Sequence, residues 1–141
     1  QGPRGLRRYA AITVRELAHY APQAFDVTTG GVTTRRRPFL MSFANSAQFG
    51  NGARIAPGAR LDDGRLDLVM LEERSRFMTV LAAPRLFLGG LERVAGVTRA
   101  LVDDVRVEAD APVVYHADGD AHTAGRTVLV RVRPGALRVS A

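Results

Sequence analysis

Residues 39–71, FLMSFANSAQFGNGARIAPGARLDDGRLDLVML, restrict the fold of this chain more than any other stretch. An apolar run from Phe39 to Phe43 enters a segment rich in Asn, Ser and Gly. A Pro57-Gly58 turn, an acidic tip at Asp62-Asp63-Gly64 and a second apolar run from Leu66 to Leu71 follow. The two apolar runs read as strands. A hairpin needs about two to five loop residues, so a connection of roughly twenty does more than reverse the chain. Its Asn and Gly residues permit positive φ and a close approach of the backbone to another group.

The flanking segments fill in a mainly β architecture. Residues 3–21 read as a helix, with Leu6, Tyr9, Ala10, Thr13, Leu17 and Tyr20 near one stripe and Pro22 closing it. Phe25 to Thr29 and Val32 to Arg36 form a hairpin around Gly30-Gly31. Phe39 to Asn45 is apolar on both faces and reads as a central strand. Ser75 caps a helix through 76–88 that Pro84 kinks and Gly89-Gly90 ends, before a short turn around Leu91 to Val94. Further strands are expected at Val105 to Ala109, Val113 to Ala117, Thr127 to Val132 and Leu137 to Ser140. Val128, Val130 and Val132 share one face of theirs. Short strands with Gly, Pro and Asp between them point to an antiparallel β-sandwich or flattened barrel, with helices at the N-terminus and near 76–88.

Composition narrows the class. With 141 residues, 46% of them apolar, the chain reads as one domain able to bury a core. It holds no apolar run of about eighteen residues and no apolar signal segment. Absence of cysteine rules out disulfides and thiolate metal sites and fits a cytoplasmic setting. All twenty basic residues are Arg, which reads as coding bias, and the net charge is +6. That charge admits nucleic acid, an anionic membrane or phosphate ligands. No nucleic-acid module is visible, and six Phe, three Tyr and no Trp make a poor base-stacking surface. The run Arg35-Arg36-Arg37 reads either as a solvated strand edge or as a membrane contact. The apolar face of 76–88 either packs on the sheet or covers an acyl-chain cavity.

Carboxylates are the residues best placed for chemistry. Asp118 and Asp120 flank Gly119 at the end of the apolar strand VVYHADGD. Such an acidic turn can hold Mg²⁺ or accept a hydroxyl proton, and it is also a common surface turn. Asp62-Asp63-Gly64 reads by itself as a turn with side-chain-to-backbone bonds. His19, His116 and His122 lack metal-ligand spacing. His116, two residues before Asp118, would share its sheet face and line a cleft if the strand continues. No G-x-S-x-G nucleophile turn is present.

Asn45, the turn Phe49-Gly50-Asn51-Gly52, Ile55-Ala56-Pro57 and Ala59 to Asp67 spell an Asn, a glycine-rich turn and I-A-P-x-A-x-L-D-D-G-x-L-D. Asp118-Gly119-Asp120 stands where a D-G-E motif would follow. In this order and spacing the chain resembles the C-terminal domain of the diacylglycerol kinase catalytic family, which includes bacterial lipid kinases and sphingosine and ceramide kinases. The resemblance implies ATP as co-substrate, Mg²⁺, and a hydroxyl of diacylglycerol, a related lipid or a sphingoid base as acceptor. It gives Asp118 a catalytic role in activating that hydroxyl, and Asp120 a catalytic and nucleotide-organising role although Asp is one methylene shorter than Glu. Gly5-Leu6-Arg7-Arg8-Tyr9 is similar to the family's G-x-x-R-[FY], which makes Arg8 a nucleotide-phosphate ligand. A structural Mg²⁺ would sit on Asp63 with the main chains of Arg60 and Arg65. Substrate would lie against Asn45, Phe39, Met41, Phe43 and His116, with 76–88 beside the acyl chains.

The family's nucleotide-binding N-terminal domain, with its G-G-D-G-T loop, is not in this sequence. The expectation is therefore a lipid-presenting half that is inactive alone. Its expected partners are its own N-terminal domain, the lipid and an anionic membrane surface met peripherally. Nucleic acid is not among them, and a homodimer could form through the exposed domain interface. Two rivals stand beside this reading. One is a non-catalytic lipid- or membrane-binding β-sandwich; the other is the substrate half of a nicotinamide-nucleotide kinase.

Overall fold

The structure, a computed structural model, describes residues 21–48, 54–73, 85 and 89–136. The helix expected at 3–21 (except Ala21), the turn at 49–53, most of 76–88 and the strand Leu137 to Ser140 lie outside the described residues.

Nine strands are described: β1 Phe25–Thr29, β2 Val32–Arg36, β3 Pro38–Ala44, β4 Leu66–Glu72, β5 Val97–Val102, β6 Asp104–Ala109, β7 Val114–Ala117, β8 Asp120–Thr123 and β9 Thr127–Arg131. A 3₁₀ turn, Leu91–Arg93, precedes β5. One sheet has the order β2-β1-β6-β9, a second β3-β4-β5, and β7-β8 form a separate ribbon. Every pairing is antiparallel.

The two larger sheets close on a shared apolar layer. Val27, Val105 and Val107 come from the first sheet, and Leu68, Met70 and Val102 from the second. Phe25, Met41, Phe43, Leu66 and Val128 pack at its margin. Period-two alternation selects these residues, because side chains two apart share a face. Val128 and Val130 are half-buried and alternate with exposed Thr127, Leu129 and Arg131, as the sequence pattern requires.

Three expectations change. The sandwich stands, but among the described residues the sheets remain separate, so no barrel closes. Among these residues β3 pairs only with β4, on one edge, and is not central. The central strand is β4, whose five inner residues Asp67 to Leu71 are all buried. Both faces of β4 are therefore covered, and on the side facing away from the sandwich core the Pro57-Gly58 turn lies against Arg99 of β5. The third change is two additional strands. β5 has four exposed residues in a row and so shows no alternation, and β8, Asp-Ala-His-Thr, is short and polar.

The Arg35-Arg36-Arg37 run acts within the fold. Arg35 is hydrogen-bonded to Asp26 at 3.1 Å and Asp110 at 2.9 Å. Arg36 lies 3.6 Å from Glu72, and Arg37 3.0 Å from Glu73. These last two pairs link the end of β2 to the end of β4, tying one sheet to the other. The guanidinium groups are thus matched by carboxylates of the same chain, as a structural strand edge requires.

Candidate functional site

The Asp118-Gly119-Asp120 motif sits on an arm. β6 and β9 pair from Asp104↔Arg131 to Glu108↔Thr127. Their ladder continues outward through Ala109 N–H to Arg126 O at 2.9 Å, Val113 N–H to Gly125 O at 3.0 Å and Ala124 N–H to Val113 O at 2.8 Å. The β7-β8 ribbon follows, and all eight of its strand residues are exposed. Asp118 and Gly119 form the two-residue turn at its tip, with φ of 51° and 99°. Positive φ at both turn residues suits the right-handed twist of the ribbon, and Asp-Gly is among the pairs that adopt it most easily. Asp118 is the single non-glycine residue at positive φ among the described residues. Such backbone outliers concentrate at functional sites, although Asp tolerates this region well.

The register sorts the arm's side chains. Tyr115 faces His122, and Ala117 faces Asp120, so these four share one side. His116 pairs with Ala121 on the other side. The strand ends before Asp118, so the shared face expected for His116 and Asp118 does not form. The Tyr115 and His122 rings stack with centroids 5.3 Å apart at 24°. A two-stranded ribbon is marginal alone. Continuity with β6-β9 and this stacked pair hold the tip in place.

The second group lies in the connection between β3 and β4. Asn45 is exposed just after β3. Met41 and Phe43 are half-buried against the sandwich core, while Phe39 stands at a register irregularity between Pro38 and Leu40. In the acidic tip, Arg60 donates to Asp62 Oδ1 at 3.2 Å from Nε and to Oδ2 at 3.3 Å from Nη2. This hydrogen bonding, aided by charge attraction, holds the Asp62 carboxyl below its ordinary value. Asp63 Oδ1 accepts the Arg65 N–H at 2.9 Å, closing a turn in which Gly64 has φ of 69°. A Cβ on Gly64 would stand 3.3 Å from Pro134 Cγ, so the turn rests on the chain just after β9.

The Asp63 turn offers oxygen donors only, one carboxylate with main-chain carbonyls, and that donor chemistry suits a hard cation such as Mg²⁺. Among the described residues, no three His, Asp or Glu side chains gather as a metal site. Gly64, next to Asp63, rests on Pro134 beyond the C-terminal end of β9, whereas the arm leaves from its N-terminal end. At about 3.4 Å per residue, five strand residues separate the two attachment points by roughly 17 Å. The Asp63 and Asp118 turns therefore attach at opposite ends of β9. Arg8 lies outside the described residues.

One pair escaped the reading of the sequence. Asp67 on β4 is 2% exposed, the one buried charged residue among those described. It accepts a hydrogen bond from Arg99 Nε on β5. That bond raises the Arg99 pKa, burial opposes it, and attraction to Asp67, Asp63 and Glu92 adds to it. The signal was a lone Asp inside the apolar run Leu66 to Leu71, since a buried carboxylate demands a cation. Its partner sits on a strand without alternation.

Comparison with known proteins agrees with the architecture. Residues 2–141 match the family described as the YegS C-terminal NAD kinase beta sandwich-like domain. A diacylglycerol kinase of Mycobacterium tuberculosis is 31% identical over 119 residues, covering 84% of this chain and 38% of its own length. A Pseudomonas fluorescens protein named "Probable lipid kinase YegS-like" is 33% identical over 99 residues, covering 70% of this chain and 32% of its own. The chain thus spans about a third of the length of these curated relatives. The crystal structure of a candidate diacylglycerol kinase from Bacillus anthracis superposes with a TM-score of 0.65 at 16% identity, over 87% of this chain and 40% of that one, which supports the fold. The sandwich and the nearly full-length match place this chain in the YegS C-terminal domain family, homologous to the diacylglycerol and YegS-like lipid kinases.

Proposed function

We propose that this chain is the C-terminal, substrate-presenting half of an ATP-dependent lipid kinase that phosphorylates a hydroxyl of diacylglycerol or a related lipid or sphingoid base. The observation carrying the proposal is Asp118, exposed at the turn of an arm that extends from the sandwich. A carboxylate presented in this way suits a cleft completed by a second body.

In this reading the lipid hydroxyl gives its proton to Asp118 as its oxygen attacks the γ-phosphorus of ATP. An O–P bond forms to the lipid, the P–O bond to ADP breaks, and ADP leaves. Catalysis of this kind rests on positioning and charge compensation. An N-terminal nucleotide-binding domain supplies most ATP contacts, with Arg8 and Asp120 adding to them from this chain. Mg²⁺, when bound, supplies charge compensation at the phosphates and stiffness at the Asp63 turn, where Asp63 and the main chains of Arg60 and Arg65 would hold it. Acyl chains lie along Phe39, Met41 and Phe43, with Asn45 and His116 near the polar end. The protein acts in the cytoplasm at an anionic membrane surface, in phospholipid metabolism. Among the described residues no helix is long and apolar enough to cross a membrane.

The test is transfer of labelled γ-phosphate to diacylglycerol and to sphingosine by the full-length protein, native beside Asp118→Asn. Loss of the proton acceptor is expected to lower kcat by about 10² or more. The 141-residue chain alone is expected to give no transfer. Undiminished turnover in Asp118→Asn would refute the role of Asp118.

A further inference from the structure

We infer that Arg99 is a positioning residue, clamped by Asp67, that fixes the Pro57-Gly58 turn over the outer face of β4 and β5 and so sets where the β3-β4 connection meets its substrate.

Three observations meet at this residue. Opposed residues in the register place Asp67 beside Leu101 and Val69 beside Arg99, so Asp67 and Arg99 are diagonal neighbours on the side of the sheet facing away from the sandwich core. Asp67 is fully enclosed while the Arg99 side chain is 39% exposed, so the arginine reaches from a buried anchor towards the surface. Its guanidinium then lies against Gly58: a Cβ there would stand 2.9 Å from Nη1, 3.1 Å from Nη2 and 3.4 Å from Cζ. A side chain at position 58 would have to displace the guanidinium. The turn is otherwise held by Ala59 N–H bonding to Ala56 O at 2.9 Å and by Ala56, which is 0% exposed. Asp67, Arg99 and Gly58 thus form a stack from strand to loop. Arginine fits this place because its guanidinium can bond the carboxylate through Nε while its terminal nitrogens reach the turn.

The kinetic part of this inference rests on the lipid-kinase reading; the structural part does not. Arg99→Met alone would strand the Asp67 carboxylate, so the informative variant is the double replacement Asp67→Asn/Arg99→Met, beside Gly58→Ala and Arg99→Lys. In the full-length protein, amide exchange at Ala59 is expected to rise about tenfold or more in the double variant while β6 amides stay unchanged, since only a local opening is released. With diacylglycerol in mixed micelles, KM is expected to rise about tenfold with kcat little changed, the pattern of a lost binding contribution. Gly58→Ala should move both quantities the same way by less. Arg99→Lys should keep the fold but recover Ala59 protection only in part. Unchanged Ala59 exchange in the double variant would overturn the clamp. Faster Ala59 exchange with unchanged KM would overturn its role towards substrate. If the native protein transfers no phosphate to lipid, the kinase reading falls and Ala59 exchange still decides the clamp.

Discussion

At the scale of single residues, the acidic turn between β3 and β4 shows two separable controls. Gly64 combines φ of 69° with the nearby Pro134 ring. Gly64→Ala should destabilise by about 1–2 kcal/mol, mostly from the left-handed backbone. Adding Pro134→Ala should recover only a small part, because it relieves the contact and not the dihedral; chemical denaturation of the two variants checks this. Asp62 offers a titration. Its folded pKa lies below the ordinary 3.8 because Arg60 bonds its carboxylate. The sign follows from linkage: the pair contributes above the ordinary value and is lost as pH falls through the depressed one. The group is fully solvated, so the stability effect is small. A carboxyl NMR titration should nevertheless find Asp62 below 3.8 in the native protein and close to it in Arg60→Ala.

At the scale of elements, the contrast between β4 and β9 decides where substitutions matter. Leu68 is 2% exposed at the centre of the shared core, and Leu129 is 64% exposed on the outer side of β9. Leu68→Ala should cost about 2–5 kcal/mol, as cavity formation in a packed core does. Leu129→Ala should fall within about 0.5 kcal/mol, as surface changes usually do. Denaturant midpoints compare the two. The same contrast explains which elements could be read from sequence. The β1-β2 hairpin carries Gly30-Gly31 between strands, and β9 alternates, so both were legible. Strand β5 was not, because its exposed run Thr98 to Leu101 is set by pairing to β4 and not by burial. Strand β8 exists only by pairing with β7. The apolar character of β3 is plain in its sequence, but its place at the edge follows from its pairing with β4 alone among the described residues, and no local pattern encodes that.

At the scale of the whole molecule, the two acidic motifs attach to the sandwich at different places. The Asp63 turn braces one end of β9, and the Asp118 arm leaves from the other. Sequence could place both motifs and name their residue types, yet the long arm that carries Asp118 depends on ladder bonds between 109 and 126 that only folding creates. The Asp67–Arg99 pair shows the same limit, since its two halves lie 32 residues apart. On the proposed function, the exposed arm and the sheet carrying the Pro57-Gly58 turn belong to one lipid-presenting half. The identity of the phosphate acceptor decides that proposal. The most direct measurement offers the full-length protein labelled ATP with diacylglycerol, sphingosine and a nicotinamide dinucleotide in separate reactions. Label in a lipid and none in the dinucleotide is the predicted result. Label in the dinucleotide, or no transfer while lipid still binds, would overturn the lipid-kinase proposal.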